Sequence, residues 1–220
     1  MIQHLGFDGD PADYRAVLDL QRRLHADVVA GRLPSALLLV QHAPVFTAGV
    51  RTRPEDHPTD GSPVVPVDRG GRLTWHGPGQ LVAYPVVRLP EPVDVVAHVR
   101  ALEGVLLGAA AAVGVVARRV DGRSGAWVDD PASAGGAAKV GAVGVRVAKG
   151  VALHGLALNC SVPDGPWRAI VPCGITDAGV TDLTRASGRP VAVTDVLAVV
   201  EDALASYAGL LATPRVAVPA

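Results

Sequence analysis

The chain has 220 residues, of which 49% are hydrophobic and 19% charged, and its formal net charge is −1. That balance fits one globular domain over residues 1–220 with a sizeable core, and it argues against a generally basic nucleic-acid binder or a polybasic membrane-surface protein. Two cysteines, Cys160 and Cys173, exclude a disulfide framework and a four-thiolate zinc site, and leave room for a reactive thiol.

The opening MIQHLGFDGDPADYR lacks the basic and apolar regions of a secretion signal. No apolar run approaches the roughly 18 residues of a spanning helix, so a cytoplasmic protein with no membrane or nucleic-acid partner is expected. The spacing of Tyr14, Val17, Leu18, Leu24 and Val28 predicts a first helix, with Gly31 placed to stop it. SALLLVQH reads as a short buried strand, and residues 51–63 as a polar loop with three prolines. SPVVPV and QLVAYPVV read as strands flanking RGGRLTWHGPGQ, residues 69–80. Residues 93–112 predict a second helix with Gly114 just beyond it. VVARRV and GAWV are short strands, DDPASAGGA a mobile loop, and KVGAVGVRVAKGVALHGLALNCS a long hairpin turning near Lys149-Gly150. The last helix spans about 194–212, with Thr194 and Asp195 as its caps. Helix, strands, helix, strands, helix predicts an α+β domain with a mixed, largely antiparallel sheet.

Cys173 lies in AIVPCGITDAGVTDLT, between proline and glycine. It is either a small buried hydrophobe or a nucleophile whose thiolate needs a nearby cation or dipole. Lys139 opens the first hairpin strand, where simple alternation puts it on the face of Val143, Val145 and Val147, an awkward place for an ammonium. It either snorkels to water or stabilises a thiolate and exchanges protons. His76 fits a loop histidine bonded to its own turn, and His154 a satisfied core histidine. His42 fits a site or structure equally. Zinc held by His76, His154 and Cys173 lacks any local ligand spacing, so no metal is expected. The glycines of 69–79 match neither a dinucleotide fingerprint nor a phosphate loop. They let backbone amides and Arg69 approach some other ligand. Arg118, Arg119 and Arg123 read as solvated surface charges.

Taken together, RGGRLTWHGPGQLVAYPV, KVGAVGVRV, HGLALNC and VPCGITDAGVTDL, in this order and spacing, resemble the lipoyl(octanoyl) transferase family of lipoate biosynthesis. The N-terminal LQRRLHADVVAGRLPSALLLVQHAPVFTAG is similar to that family as well, so the resemblance runs from about residue 14 to 186. It implies a fold shared with biotin and lipoate protein ligases, and transfer of octanoyl from octanoyl-acyl carrier protein to a lysine on a lipoyl domain. The acceptors it implies are the lipoyl domains of 2-oxoacid dehydrogenase complexes and the glycine cleavage H protein. It implies an acyl-thioester on Cys173 and a lowering of that thiol's pKa by Lys139, with no cofactor. The implied acyl pocket comprises Arg69, Gly70, Gly71, Arg72, Leu73, Thr74, Trp75 and His76, then Ala142, Val143 and Gly144, and Gly155, Leu156 and Ala157. Small residues at 142, 144, 155 and 157 then leave a groove for the chain. An ATP-dependent lipoate or biotin ligase, an octanoyl or lipoyl amidotransferase and a non-catalytic acyl carrier are the alternatives. Relative to the family, Cys160 stands where an aliphatic residue is usual.

Overall fold

In the computed structural model, residues 1–133, 135–170, 174 and 177–212 are described. In chain order the elements are β1 (Ile2–Leu5), α1 (Tyr14–Val29), β2 (Ser35–Val40), β3 (Val45–Ala48), β4 (Val64–Pro66), β5 (Leu73–His76) and β6 (Gln80–Val87). There follow α2 (Val95–Ala112), β7 (Arg118–Val120), β8 (Arg123–Asp129), β9 (Ala137–Ala148) and β10 (Val151–Asn159). The chain then forms α3 (Gly165–Arg168), β11 (Gly179–Val180), α4 (Leu183–Ser187) and α5 (Thr194–Ala212). The main sheet runs β1-β2-β6-β10-β9-β8-β7, with β11 paired to β9; only β1–β2 and β9–β11 are parallel. A second sheet, β4-β3-β5, stands apart from it. This is the expected α+β domain with a mixed, mostly antiparallel sheet.

Alternation along the strands sorts the core into two layers. Leu81 and Ala83 of β6, with Leu156 and Leu158 of β10, face a cluster containing Leu102, Leu106 and Ala109 of α2 and Val196, Val200 and Leu204 of α5. Val82 and Tyr84, one residue out of phase, pack with Leu38, Val40, Ala157 and the α1 residues Val17, Leu24 and Val28. Helix α1 starts where the Asp13 carboxylate accepts the Ala16 amide at 2.8 Å, a side-chain N-cap. α5 begins at Thr194 as expected, but Asp195 reaches back to accept the Ala192 amide at 2.8 Å rather than capping from outside the helix.

Several elements were missed. β1 has only four residues, alternately exposed on the sheet edge, and β3, β11, α3 and α4 are equally short. A third of the glycine-rich stretch is strand β5 rather than loop. α2 also corrects the expectation about apolar runs, since its 18 residues have a mean hydropathy of 1.5, long and apolar enough by composition to cross a membrane. Here its Ala- and Leu-rich face is a core layer, and His98 and Glu103 are buried within it.

The β9–β10 hairpin turns at Lys149 and Gly150, with φ of 53° and 72°, the two left-handed residues of a two-residue hairpin loop. Farther from the turn, β9 carries a bulge. Ala126 of β8 pairs with Gly141, but the next residue, Trp127, pairs with Lys139, so Val140 is extra. Gly141 therefore faces Leu106 of α2, and Ala138 and Val140 lie in the same cluster. Lys139 turns to the opposite side with Ala142 and Gly144. Simple alternation had placed Lys139 with Val143, Val145 and Val147; the extra residue reverses that phase.

Some glycines are fixed by contact rather than by a need for open space. A Cβ on Gly155 would lie 2.1 Å from the Ala83 carbonyl oxygen, and one on Gly79 (φ 84°) 1.8 Å from that of Ser161. Gly108 lies inside helix α2 with nothing within 4 Å of such an atom. Gly155→Ala and Gly79→Ala are therefore expected to lower stability by about 2 kcal/mol or more, as overpacking against backbone does. Gly108→Ala raises it by about 0.5–1 kcal/mol through helix propensity. Urea midpoints for the three variants check both directions.

Candidate active site

A cavity of about 340 Å³ lies where the β6–β10–β9 face of the main sheet meets β5 and the 69–72 loop. Val82, Ala142, Val143, Leu156 and Ala157 supply apolar lining, while Tyr14, Thr74, His76, Tyr84 and His154 bring polar atoms. Arg51, Arg53, Arg69, Arg72, Arg123 and Lys139 also line it, with no carboxylate among the described lining residues. Its volume lies in the range of small-molecule clefts.

The 69–72 loop is built around a buried guanidinium. Arg69, 8% exposed, donates to the Thr47 carbonyl at 2.8 Å and hydroxyl at 2.9 Å, and to the carbonyls of Gly70 at 3.1 Å and Arg72 at 2.9 Å. A Cβ on Gly144 would stand 3.1 Å from Arg69 Cδ and 3.2 Å from the Gly70 carbonyl oxygen. Gly144 thus makes room for this loop, and Gly155 makes room for β6. The expected acyl groove from missing side chains gives way to a different account, in which these glycines admit protein backbone and Arg69.

Arg72 forms a two-pronged ion pair with Asp56, Nε to Oδ2 at 2.7 Å and Nη2 to Oδ1. Asp56 also accepts the Arg53 amide at 2.9 Å. Burial works against its charge, but the Arg72 and Arg53 donors prevail and hold its carboxyl below the usual aspartate range. Arg72 continues to the chain beside the candidate nucleophile, its Nη1 lying 3.5 Å from the Gly174 carbonyl oxygen. Cys173 itself lies outside the described residues.

β5 alternates. Thr74 and His76 face the cavity. Leu73 and Trp75, expected in the pocket wall, instead pack with Phe46, Val162 and Ile170, and Trp75 meets Trp167 edge-on at 5.7 Å. Period two in a strand allows only one of these pairs to line the cavity.

Behind β5 sits a buried histidine–tyrosine cluster. His76 Nδ1–H donates to Gln80 Oε1 at 2.7 Å, and the ring stacks on Tyr14 at 6.0 Å. His42 contacts the Ala12 carbonyl oxygen at 3.3 Å through Nδ1, which must carry the proton, so Nε2 accepts from the Tyr84 hydroxyl at 2.9 Å. Burial above all pushes His76 down to about 3 and His42 to about 4, and it raises Tyr14 to about 12. A neutral imidazole with so low a value is a poor proton acceptor near neutral pH, so His76 recedes as a base.

His154, which the sequence reads as a satisfied core histidine, lines the cavity. Its Nε2 lies 2.7 Å from Asp68 Oδ1, its amide donates to Gln21, and its φ is 59°. Asp68 also binds Arg146 at 2.9 Å. Burial lowers the His154 pKa against the opposing pull of Asp68. Arg119 and Arg123, expected to be solvated, are paired: Arg119 with buried Glu103 at 3.1 Å, Arg123 with Asp177 at 2.5 Å. Tyr14 and Tyr84, which line the cavity, and Asp56 and Asp68, which hold its lining residues Arg72 and His154, were missed because only long-range packing brings them there. Lys139 is 7% exposed, and its Nζ sits 4.7 Å from the centroid of the Trp127 ring. Cys160 is fully buried in the apolar core, which pushes its thiol up to about 12 and leaves it unreactive.

The architecture is that of the lipoate protein ligases. A putative lipoate protein ligase from T. acidophilum, solved with bound lipoic acid, superposes with a TM-score of 0.64 over 94% of this chain and 85% of that one, at 15% identity. Residues 13–205 match the lipoyl protein ligase A/B catalytic domain, and the chain belongs to that family. It is 53% identical over 215 residues to an octanoyltransferase of Clavibacter sepedonicus, covering 95% of this chain and 93% of the relative. It is also 57% identical to an octanoyltransferase of Salinispora tropica, covering 86% and 88%. These relatives place the chain among the family's acyltransferases.

Two outcomes follow from the electrostatics. Neutral His42 and His76 bind protons more weakly folded than unfolded, so stability falls as pH drops below about 6.5, toward their folded values near 4 and 3. Thermal unfolding at pH 5 against pH 7 should show a loss of about 2 kcal/mol for each, and His42→Gln should remove one share. Arg72→Ala leaves the Asp56 carboxylate without its cation and should lower the thermal midpoint, with Arg72→Ala/Asp56→Ala recovering part of the loss in a double-mutant cycle.

Proposed function

We propose that this enzyme transfers an octanoyl group from octanoyl-acyl carrier protein to the ε-amino group of a lipoyl-domain lysine, through a thioester on Cys173. The observation that carries the reading is the placement of Lys139. A chain bulge turns its ammonium out of the core and into an otherwise arginine-framed cavity. Supporting it, Gly174, the residue after Cys173, meets Arg72 on the cavity wall. The names of relatives 53% and 57% identical supply the acyl group.

The acyl chain lies along the apolar lining of Val82, Ala142, Leu156 and Ala157. Burying the six carbons by which octanoyl exceeds acetyl is worth roughly 5 kcal/mol, at about 0.8 each, which favours octanoyl over acetyl without polar contacts. The Lys139 charge favours the Cys173 thiolate. The thiolate sulfur attacks the thioester carbonyl, backbone amides beside Cys173 and Gly174 receive the oxyanion, and its collapse expels the carrier sulfur, which takes the proton of the Lys139 ammonium and leaves that amine neutral. The acceptor lysine's neutral amine then attacks the acyl-enzyme. It loses a proton, with Lys139 in its neutral form as acceptor, and the Cys173 sulfur departs as the amide forms. The donor thioester is already activated, so ATP has no part in the sequence. We place the reaction in the cytoplasm, with the lipoyl domains of 2-oxoacid dehydrogenase complexes and the glycine cleavage H protein as acceptors.

Intact-protein mass after mixing with octanoyl-acyl carrier protein tests this. Wild type and Cys160→Ser should gain one octanoyl group that a lipoyl domain discharges, and Cys173→Ser should gain none. Absence of an adduct on every variant, with lipoyl-domain modification only when ATP and free acid are supplied, would replace the transferase by an adenylate-forming ligase.

A further inference from the structure

We propose that Trp127 is a positioning residue for Lys139: the face of its indole holds the Lys139 ammonium in the cavity without cancelling its charge. This rests on the reading of Lys139 as the cation that serves Cys173. An ammonium as buried as this one is costly unless something replaces its water. Among the described residues Lys139 makes no ion pair, and its Nζ instead lies 4.7 Å from the Trp127 ring centroid. That distance is well within the range at which the negative face of an indole attracts a cation.

The choice of partner matters chemically. A carboxylate would hold the ammonium equally well, but its opposite charge would offset the field that favours a neighbouring thiolate. An aromatic face carries no net charge, so the cavity keeps the full positive charge of Lys139. The scaffold fixes this pairing in three ways. The bulge makes Trp127 and Lys139 direct cross-strand partners. The Gly125 amide, two residues before Trp127, donates to buried Glu103 at 3.0 Å. The Arg123 guanidinium lies 5.9 Å from the same ring and is itself tied to Asp177. The indole N–H has no hydrogen-bond partner among the described residues, so the ring is not placed there to satisfy a polar contact.

The test uses the full chain carrying Cys160→Ser, so that Cys173 is the single thiol, and compares Trp127→Leu, Trp127→Phe and Lys139→Met. Alkylation by iodoacetamide is followed across pH, beside octanoyl loading from octanoyl-acyl carrier protein. Trp127→Leu should slow both at pH 7 by roughly tenfold and move the rise of alkylation to higher pH, in the direction of Lys139→Met. Trp127→Phe, which keeps an aromatic face, should retain most of the wild-type rate. If Lys139→Met shifts the profile and Trp127→Leu does not, the Trp127 role is overturned while Lys139 stands. If Lys139→Met itself matches wild type, the Lys139 reading fails and the Trp127 role falls with it.

A second measurement covers the case in which Trp127→Leu does not fold. The sequence has only two lysines, Lys139 and Lys149, so lysine-selective carbon labelling gives two ε-methylene signals. In the wild type the Lys139 signal should lie upfield of that of Lys149, which sits in the exposed hairpin turn, through the ring current of Trp127. Coincident signals overturn the contact.

Discussion

The site depends on the unpaired residue in β9. Without Val140 as an extra residue, Lys139 would point with Gly141 toward Leu106 of α2, into the apolar layer beneath that helix. With it, the strand serves two environments in sequence: Ala138 and Val140 in the core, Lys139 and Ala142 on the cavity. The bulge has its own support. Gly125, with φ of 110°, passes so close to Gly141 that a Cβ would lie 2.3 Å from its carbonyl oxygen. The Gly125 amide is anchored by Glu103, which is fully buried and receives Arg100 and Arg119 as well. A carboxylate in helix α2 thus fixes the local geometry of β8, the strand that pairs with the lysine's own strand across the bulge.

The surroundings of the cavity show a second pattern. Its polar groups are mostly bound to the protein itself: Arg69 by carbonyls and a hydroxyl, Arg72 by Asp56, Arg123 by Asp177, His154 by Asp68. Its histidines are neutral by burial. Lys139 differs in resting on an aromatic ring, which leaves its charge without a carboxylate partner among the described residues. His76 and His42 serve to join β5, β6 and α1 through Gln80, Tyr84 and Tyr14.

Much of the fold was legible from periodicity. The three long helices and the β9–β10 hairpin follow from repeating patterns longer than about ten residues, which local sequence expresses well. β1, β3 and β11, at two to four residues, owe their existence to partners far along the chain. The motif blocks pointed to Lys139, His76 and the 69–76 loop, and these do converge on one cavity. The alternation argument failed at Lys139 because a bulge leaves no mark in composition. The groove argument failed at Gly144 and Gly155 because a glycine looks the same whether the space beside it belongs to a ligand or to another strand. Asp56 and Asp68 were invisible because neither lies in a motif. Their importance comes from Arg72 and His154, 16 and 86 residues away in sequence.

The buried guanidinium of Arg69 has a consequence for binding. Its donors close the 69–72 loop onto β3 from within, so the loop is ordered by the protein's own charge before any ligand arrives. The conformational entropy of this glycine-rich segment is lost during folding, and a flexible hydrocarbon entering the cavity orders only itself. Any ligand of the cavity therefore meets a 69–72 segment whose shape is already set by folding.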